Sequence, residues 1–175
     1  MNVKKLNYPF LFFVFVFPVV FIVLGKSIKD SFLVNATKSI PLGVYKKTEA
    51  AFPRVGLYAE ACGPKWLSRY APGDPACHGG VMVIKPVAAV PGQKIEIKSV
   101  GERRVVFIDG KNTGGVVKET DSLGFRLPVF EGGVVPKDRV FLFSTYNKKS
   151  ADGRYFGLTN IKDIKGYYQC FYCLK

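Results

Sequence analysis

The sequence has little of two residue types on which many enzymes depend. Histidine occurs once, as His78, and 13 acidic residues face 26 lysines and arginines. A Ser–His–Asp triad would need this one histidine, yet it lies in an irregular stretch rich in Gly and Pro. It also follows Cys77 directly, and adjacent side chains cannot form a Cys–His dyad without severe strain. The sequence therefore argues against histidine-based nucleophilic catalysis.

Long amphipathic helical patterns, internal repeats and low-complexity tracts are also missing. The formal net charge is +13, but basic residues never run beyond pairs such as Lys46-Lys47 and Lys148-Lys149. A nucleic-acid-binding protein of this charge more often shows a basic cluster or a recognised motif. We therefore expect no nucleic-acid partner, and we interpret the spread charge as belonging to a face near anionic lipid.

Frequent Gly, Pro, aromatic and β-branched residues favour a mainly β fold. The length of 175 residues allows one domain with an appendage. The Asp109-Gly110 pair predicts a hairpin turn. Residues 60–80 predict a surface excursion, in which Trp66-Leu67 and Tyr70 form either a helical turn packed on the domain or an exposed apolar rim. Strands are predicted at 42–46, 55–59, 81–84, 87–90, 94–98, 104–108, 111–113, 127–130, 140–144, 154–158 and 161–164.

An apolar, uncharged run of 18 residues, 8–25, is long enough to cross a bilayer as a helix. The alternative is a cleavable signal peptide. Its candidate cleavage site at 34–36 lies about ten residues beyond the apolar run, further than such sites usually sit. We therefore expect an uncleaved membrane anchor in residues 1–30 and one catalytic domain in residues 31–175. Flanking lysines are nearly balanced, so the positive-inside rule does not fix the orientation.

The four cysteines have two interpretations. If the domain lies outside the cytosol, disulfides are the default, with Cys62–Cys77 closing a loop and Cys170–Cys173 a tight C-terminal ring. The alternative is a zinc site that uses these thiols with His78. A second C-x-x-C motif is missing, so zinc ranks second and no metal or cofactor is expected.

Two stretches suggest an activated serine. Ser39 lies in a polar segment two residues after Thr37, and taken alone this segment reads as a loop that leaves a membrane anchor. Lys85 lies between two apolar runs. Burial lowers the pKa of a lysine, and a neutral amine near Ser39 would accept the hydroxyl proton. The plainer interpretation of Lys85 is a strand-end lysine whose ammonium reaches water.

A third stretch, 144–157, contains Asp152 and Arg154. These two side chains either hold each other and pin a strand beside the site, or form a surface ion pair of little energetic value.

Together the three stretches resemble the signal peptidase family of membrane-anchored Ser–Lys proteases. The order is that of the family, with an anchor, a serine box, Lys85 and a final box at 152–157. The serine box is similar to that of the TraF branch, which serves conjugative plasmid transfer. It reads Asn35-x-Thr37-x-Ser39-x-Pro41-x-Gly43-x-Tyr45. The resemblance implies a signal-peptidase/LexA-like antiparallel β domain behind a transmembrane helix.

The resemblance also assigns roles. Ser39 would be the nucleophile and Lys85 the general base. The backbone N–H of Ser39 and the hydroxyl of Thr37 would form the oxyanion hole, with Asp152 and Arg154 in support. Two departures suit the specialised branch better than a housekeeping enzyme. Pro86 stands where ordinary signal peptidases carry arginine, and 145–147 replace an acidic Gly-Asp-Asn stretch.

The resulting expectation is a single-pass protein of the inner membrane with its catalytic domain in the periplasm. It would cleave, and in one variant cyclise, a prepilin or other exported precursor, with the conjugative secretion machinery as a further partner. Hydrolysis and cyclisation are not separated by the sequence. The alternative is a non-catalytic anchored β-domain that assists pilus or envelope assembly. A cytosolic self-cleaving repressor is a third alternative, against which the anchor argues.

Overall fold

A computed structural model describes residues 31–174 of the chain. The predicted anchor, within residues 1–30, lies outside the described residues. No helix in the described range is long and apolar enough to cross a membrane.

Residues 31–174 contain eleven strands, and every strand pairing among them is antiparallel. The strands are β1 Phe32–Asn35, β2 Gly43–Lys47, β3 Tyr58–Cys62, β4 Met82–Ala89, β5 Lys94–Val100, β6 Arg103–Ile108, β7 Lys111–Val117, β8 Gly133–Val134, β9 Arg139–Leu142, β10 Thr159–Asn160 and β11 Ile164–Cys173. One short α-helix, α1 Gly153–Phe156, and three 3-10 helices at Lys65–Arg69, Pro75–Cys77 and Ile161–Asp163 complete the described elements.

The strands form two sheets. The larger has seven strands in the order β1-β2-β11-β3-β4-β9-β10, and the smaller has four in the order β7-β6-β5-β8. The main apolar cluster draws residues from both sheets and so joins them. Its buried members are Ala89, Ile95, Val106, Val117, Val135, Phe141, Phe143 and Tyr155. The prediction of a mainly β, antiparallel domain is confirmed.

A smaller cluster fixes the segment that carries Ser39. Ile40 and Tyr45 are fully buried and pack with Tyr168. The Tyr45 hydroxyl donates to the carbonyl of Pro41 at 2.6 Å. The loop between β1 and β2 is therefore held at both ends by the core.

Gly43 permits a close approach of strands beside this loop. It has a φ of +152° and pairs with Cys173 of β11. A Cβ at this position would overlap the backbone carbonyl of Tyr172. The glycine in the serine box therefore accommodates the protein's own C-terminal strand.

Lys85 lies inside β4, so the prediction that the strand ends there is wrong. The strand continues through Pro86, which lies where the ladder with β3 ends and the ladder with β9 begins. Pro86 pairs with Tyr58 of β3, whereas Val87 pairs with Leu142 of β9. A proline without a backbone N–H is tolerated at such a changeover.

The strand predicted at 55–59 is displaced to Tyr58–Cys62, so the predicted excursion at 60–80 begins only after residue 62. Three other strand predictions are wrong for local reasons. Residues 127–130 contain Pro128, and their N–H groups reach two separate partners, the carbonyls of Glu119 and Arg154. Residues 154–158 begin as helix α1, because the Asp152 side chain accepts a hydrogen bond from the N–H of Arg154 and caps it. Residues 161–164 form a 3-10 turn that leads into β11. The Asp109-Gly110 hairpin is confirmed, with a positive φ at both residues.

All four cysteines are paired, as Cys62–Cys77 and Cys170–Cys173. The disulfide interpretation is confirmed, and the thiolates that a zinc site would need are taken. We call residues 63–80 the cap. The Cys62–Cys77 disulfide links this segment covalently to the end of β3.

The cap packs on the domain through its first 3-10 helix. Leu67 is buried, and Trp66 packs against the main apolar cluster. Arg69 lies 4.6 Å from the ring centre of Phe125, and the Tyr70 hydroxyl donates to Asp121. Of the two interpretations of this segment, the packed helical turn is therefore the one observed.

Candidate active site

One cleft of about 680 Å³ collects residues from distant parts of the chain. Ser39 and Thr37 come from the β1–β2 loop, Lys85 from β4 and Ser150 from the loop before α1. The fold thus brings together residues that lie 46 or more positions apart in the sequence, such as Ser39 and Lys85. The cap forms another wall of the same cleft.

Lys85 occupies a core position of its strand. Side chains alternate along β4, and the buried positions are Lys85, Val87 and Ala89. Only 4% of Lys85 is exposed. Burial lowers the pKa of its amine from 10.5 to about 8, with Asp152 opposing and Arg154 adding to the shift. A substantial fraction of this amine is therefore neutral near pH 8.

Ser150 is the hydrogen-bond partner of Lys85. The Lys85 Nζ donates to Ser150 Oγ at 3.0 Å, and both groups are buried. The N–H of Ser150 donates to the carbonyl of Asn147 at 2.9 Å, and its own carbonyl accepts from Arg154 Nη2 at 2.8 Å. The backbone of Ser150 is thus bonded on both sides of its hydroxyl, which gives the amine an ordered hydrogen-bond partner.

Asp152 and Arg154 form a buried two-point ion pair. Arg154 Nε lies 2.8 Å from Asp152 Oδ1, and Arg154 Nη2 lies 2.9 Å from Asp152 Oδ2. Neither residue is more than 1% exposed, so the alternative of a surface ion pair does not hold. They do not line the cleft but lie behind Ser150, whose carbonyl Arg154 holds.

The same ion pair connects several elements. Arg154 Nη1 donates to the carbonyl of Val116 in β7 at 2.7 Å. Asp152 Oδ2 accepts from the N–H of Ser144, just after β9. A buried, fully bonded charge pair of this kind is costly to break, because either partner alone would be an uncompensated buried charge.

Ser39 is partly buried at the cleft wall. Its carbonyl accepts a hydrogen bond from Ser144 Oγ at 2.7 Å, so the nucleophile loop and the Asp152 network share Ser144. Within residues 31–174 the structure has no hydrogen bond between Ser39 and Lys85. The two side chains line one cleft, and the hydrogen bond of the amine goes to Ser150.

Asn35 organises the predicted oxyanion residues. Its side-chain amide donates to the carbonyls of Thr37, Ile40 and Pro41. Its Oδ1 accepts both the N–H of Thr37 at 3.0 Å and the hydroxyl of Thr37 at 2.8 Å. The hydroxyl can therefore turn away without leaving Asn35 Oδ1 unpaired.

Asn35, Ser144 and Ser150 are functional residues to which no sequence pattern assigned a role. Asn35 is part of the serine box. It is buried, and a neutral amide whose groups are hydrogen-bonded is less costly to bury than a charged side chain. Ser144 and Ser150 lie inside the third stretch, but nothing in the sequence distinguishes them from loop serines. His78 is exposed and does not line the cleft. Among residues 31–174 no three His, Cys, Asp or Glu side chains are grouped to hold a metal ion.

Two proteins that are similar to this chain are conjugal or plasmid transfer proteins. The chain is 35% identical over 133 residues to the conjugal transfer protein TraF of Agrobacterium fabrum (strain C58 / ATCC 33970), covering 71% of this chain and 72% of that protein. It is 31% identical over 144 residues to the plasmid transfer protein TraF of Escherichia coli, covering 75% and 77%.

A signal peptidase I from Enterococcus faecalis V583 matches in structure with a TM-score of 0.41 and 18% identity, over 73% of this chain and all of that one. The model of the family described as signal peptidase, peptidase S26, matches residues 9–173. The chain therefore belongs to the peptidase S26 signal peptidase family.

Proposed function

We propose that this chain is a membrane-anchored serine endopeptidase with a Ser–Lys dyad. The observation that carries the proposal is the amine of Lys85, which is buried, has a pKa of about 8 and lies in the same cleft as Ser39. A core position on a strand is a costly place for a lysine, and an activated base is a physical reason for keeping one there.

In the proposed reaction Ser39 Oγ attacks the carbonyl carbon of the substrate peptide bond, and its proton passes to neutral Lys85. The ammonium then returns the proton to the leaving amine as the C–N bond breaks, which leaves an acyl-enzyme. This step requires Ser39 Oγ to come within hydrogen-bond distance of Lys85 Nζ in the substrate complex. Ser150 would keep the amine in place during that approach.

The oxyanion would be held by the N–H of Ser39 and the hydroxyl of Thr37. The Thr37 hydroxyl must rotate from Asn35 Oδ1 toward the substrate, and the N–H of Thr37 would keep Asn35 bonded. One donor of this kind contributes about 2.7–4 kcal/mol to stabilising the transition state.

The proposed substrate is a prepilin or other exported precursor in conjugal transfer. The support is that the relatives named above are called conjugal or plasmid transfer proteins. Water would resolve the acyl-enzyme by hydrolysis, whereas the substrate's own N-terminal amine would close it into a cyclic product. In the proposed location the anchor lies in the inner membrane and the domain in the periplasm. Residues 25–39 reach at most about 50 Å, so Ser39 would act close to the membrane surface.

The test is to express the chain with its candidate precursor and determine the mass of the product. Ser39→Ala and Lys85→Ala should each abolish processing, while Ser99→Ala and Lys165→Ala, which alter exposed residues outside the cleft, should not. The product mass also separates hydrolysis from cyclisation, because a cyclic product is lighter by one water.

A folding control and a pH profile complete this test. Circular dichroism must show that each variant is folded. In the wild type the rate should rise with pH and reach half its maximum near pH 8, because only the neutral amine accepts a proton. Normal processing by folded Ser39→Ala or Lys85→Ala would leave a non-catalytic anchored β-domain as the function.

A further inference from the structure

Four exposed lysines surround the mouth of the cleft. They are Lys38, Lys118, Lys148 and Lys149. None of them forms a salt bridge with another residue in the described part of the chain. By contrast, Lys94 and Lys98 on β5 both pair with Glu96 at 3.1 Å. Four lysines against two lining carboxylates leave the part of the cleft formed by residues 31–174 with a net positive charge.

The two acidic residues that line the cleft are already engaged. Glu60 Oε2 accepts from the Tyr168 hydroxyl at 2.8 Å. Asp121 Oδ1 accepts from the N–H groups of Leu123 and Phe125 at 2.7 and 2.9 Å, and its second oxygen accepts from Tyr70. Both carboxylates keep their charge, but their hydrogen-bond partners are hydroxyl and backbone N–H groups, so the four lysines stay available to a ligand.

Three of the lysines are sequence neighbours of Ser39, the proposed nucleophile, or of Ser150, which bonds the amine of Lys85. Lys38 immediately precedes Ser39. Lys148 and Lys149 immediately precede Ser150, in a turn where Asn147 accepts the N–H groups of both Lys149 and Ser150 at 2.9 Å. These lysines line the same cleft as Ser39 and Lys85. A substrate carboxylate bound to them would therefore lie within a few residues of the bond to be cut.

The walls between the lysines are largely apolar. Their apolar lining includes Leu33, Trp66, Leu67, Val81, Val83 and Leu127. A ligand that fits this cleft has an uncharged, apolar portion and negative charge next to it. An extended peptide supplies both, because successive side chains point to opposite sides.

We propose that the cleft selects a peptide with one or more Asp or Glu residues within a few residues of the scissile bond, held by Lys38, Lys148 and Lys149. This inference rests on the proposed function, since it names the chemistry of the substrate. These three lysines and Lys118 come from three separate chain segments around one cleft, which favours a peptide over a flat lipid surface as their partner.

Binding to the full-length Ser39→Ala protein in detergent tests the inference without any cleavage. Two fluorescein-labelled, alanine-rich 12-residue peptides would be compared, identical except that two Glu residues near the centre are Gln in the second. At low salt we expect the Glu peptide to bind about threefold to tenfold more tightly. The difference should shrink with added salt, because exposed charges are screened.

Replacing the lysines should remove the preference. Adding Lys148→Gln and Lys149→Gln should bring the affinity ratio of the two peptides to about one. Adding Lys46→Gln and Lys47→Gln instead should leave it unchanged, because that pair is exposed on β2 away from the cleft.

Several results would overturn the inference. These are equal affinity for the two peptides, no binding of either, and a preference that survives Lys148→Gln/Lys149→Gln. A further one is weaker binding of that variant to phosphatidylglycerol vesicles with the peptide ratio unaltered, which would assign the lysines to lipid. Failure of the wild type to cleave any precursor counts against the proposed function, whereas the peptide ratio decides the charge preference independently.

Discussion

At the scale of single residues, Lys85 illustrates a conflict between stability and chemistry. Lys85 occupies a buried position of β4, where the strand pattern would favour an apolar side chain. Lowering a lysine pKa from 10.5 to about 8 means that the folded state holds the proton less tightly than the unfolded state. At neutral pH the position therefore destabilises the fold.

We predict that Lys85→Met raises stability while removing the proposed base. Each unit of pKa shift corresponds to about 1.4 kcal/mol, so the shift of Lys85 sets an upper limit of about 3.5 kcal/mol. Loss of the hydrogen bond to Ser150 offsets part of this, so the gain at pH 7 should be about 1–3 kcal/mol. Between pH 8 and 10.5 the unfolded wild type binds a proton that the folded protein lacks, so the stability of the wild type rises relative to the variant. The advantage of Lys85→Met should accordingly diminish across that range.

Thermal unfolding in detergent at pH 7, 9 and 10.5 measures this effect. Lys165→Met, at an exposed position of β11, is the matched control and should show no pH-dependent difference from the wild type. A destabilised Lys85→Met protein at pH 7 would mean that the Ser150 contact outweighs the burial of the amine.

At the scale of elements, two disulfides of different span allow a direct comparison. Cys62–Cys77 spans 15 residues and holds the cap against the domain, whereas Cys170–Cys173 spans three residues at the end of β11. The cap lines the cleft through Trp66, Leu67 and Tyr70, and the C-terminal ring does not line it. The first bond should therefore influence both stability and substrate binding.

We predict that Cys62→Ser/Cys77→Ser lowers the free energy of unfolding by about 3 kcal/mol, and Cys170→Ser/Cys173→Ser by about half as much. Loosening the cap should raise KM for a peptide substrate more than it lowers kcat, because Lys85 and Ser150 are held by other elements. Unfolding curves and steady-state kinetics on both double variants provide the test. Equal effects of the two variants on KM would show that the cap does not form a substrate wall.

The same scale shows where local sequence patterns mislead. Residues 154–158 have strand-forming side chains, but Asp152 caps a helical turn that also places Arg154 beside it. The β-pattern at 127–130 packs its apolar side chains on the core without a strand partner. In both segments a hydrogen bond to a distant group or to a capping side chain determines the conformation and overrides the β-propensity of the residues.

At the scale of the whole molecule, the fold brings the Ser39 loop, Lys85 and the Ser150 loop to one cleft, with Asp152 and Arg154 behind it. Both sheets and the core that they share are built from residues within 31–174. We expect the predicted anchor to determine where the domain works and to leave the chemistry of the cleft unchanged.

We predict that deleting residues 2–30 leaves kcat/KM for a soluble peptide within about threefold of the full-length value. Processing of a membrane-tethered precursor in cells should fall by about tenfold or more, because tethering raises the local concentration of enzyme at the substrate. Parallel peptide assays and immunoblots of the precursor measure the two effects. Unimpaired processing by an exported, soluble domain would contradict a role for the anchor.

The sequence by itself determined the chain's β-rich class, the pairing partners of the cysteines as candidates, and the three boxes with Ser39, Lys85, Asp152 and Arg154. Those conclusions follow from composition, spacing and family resemblance, which are properties of the chain in one dimension. Only the tertiary structure decided that Lys85 donates to Ser150, that the Asp152–Arg154 pair is buried behind it, and that unpaired lysines surround the cleft. Burial, and a hydrogen bond such as that of Lys85 to Ser150, 65 positions away, depend on strand order and packing, which local patterns do not encode.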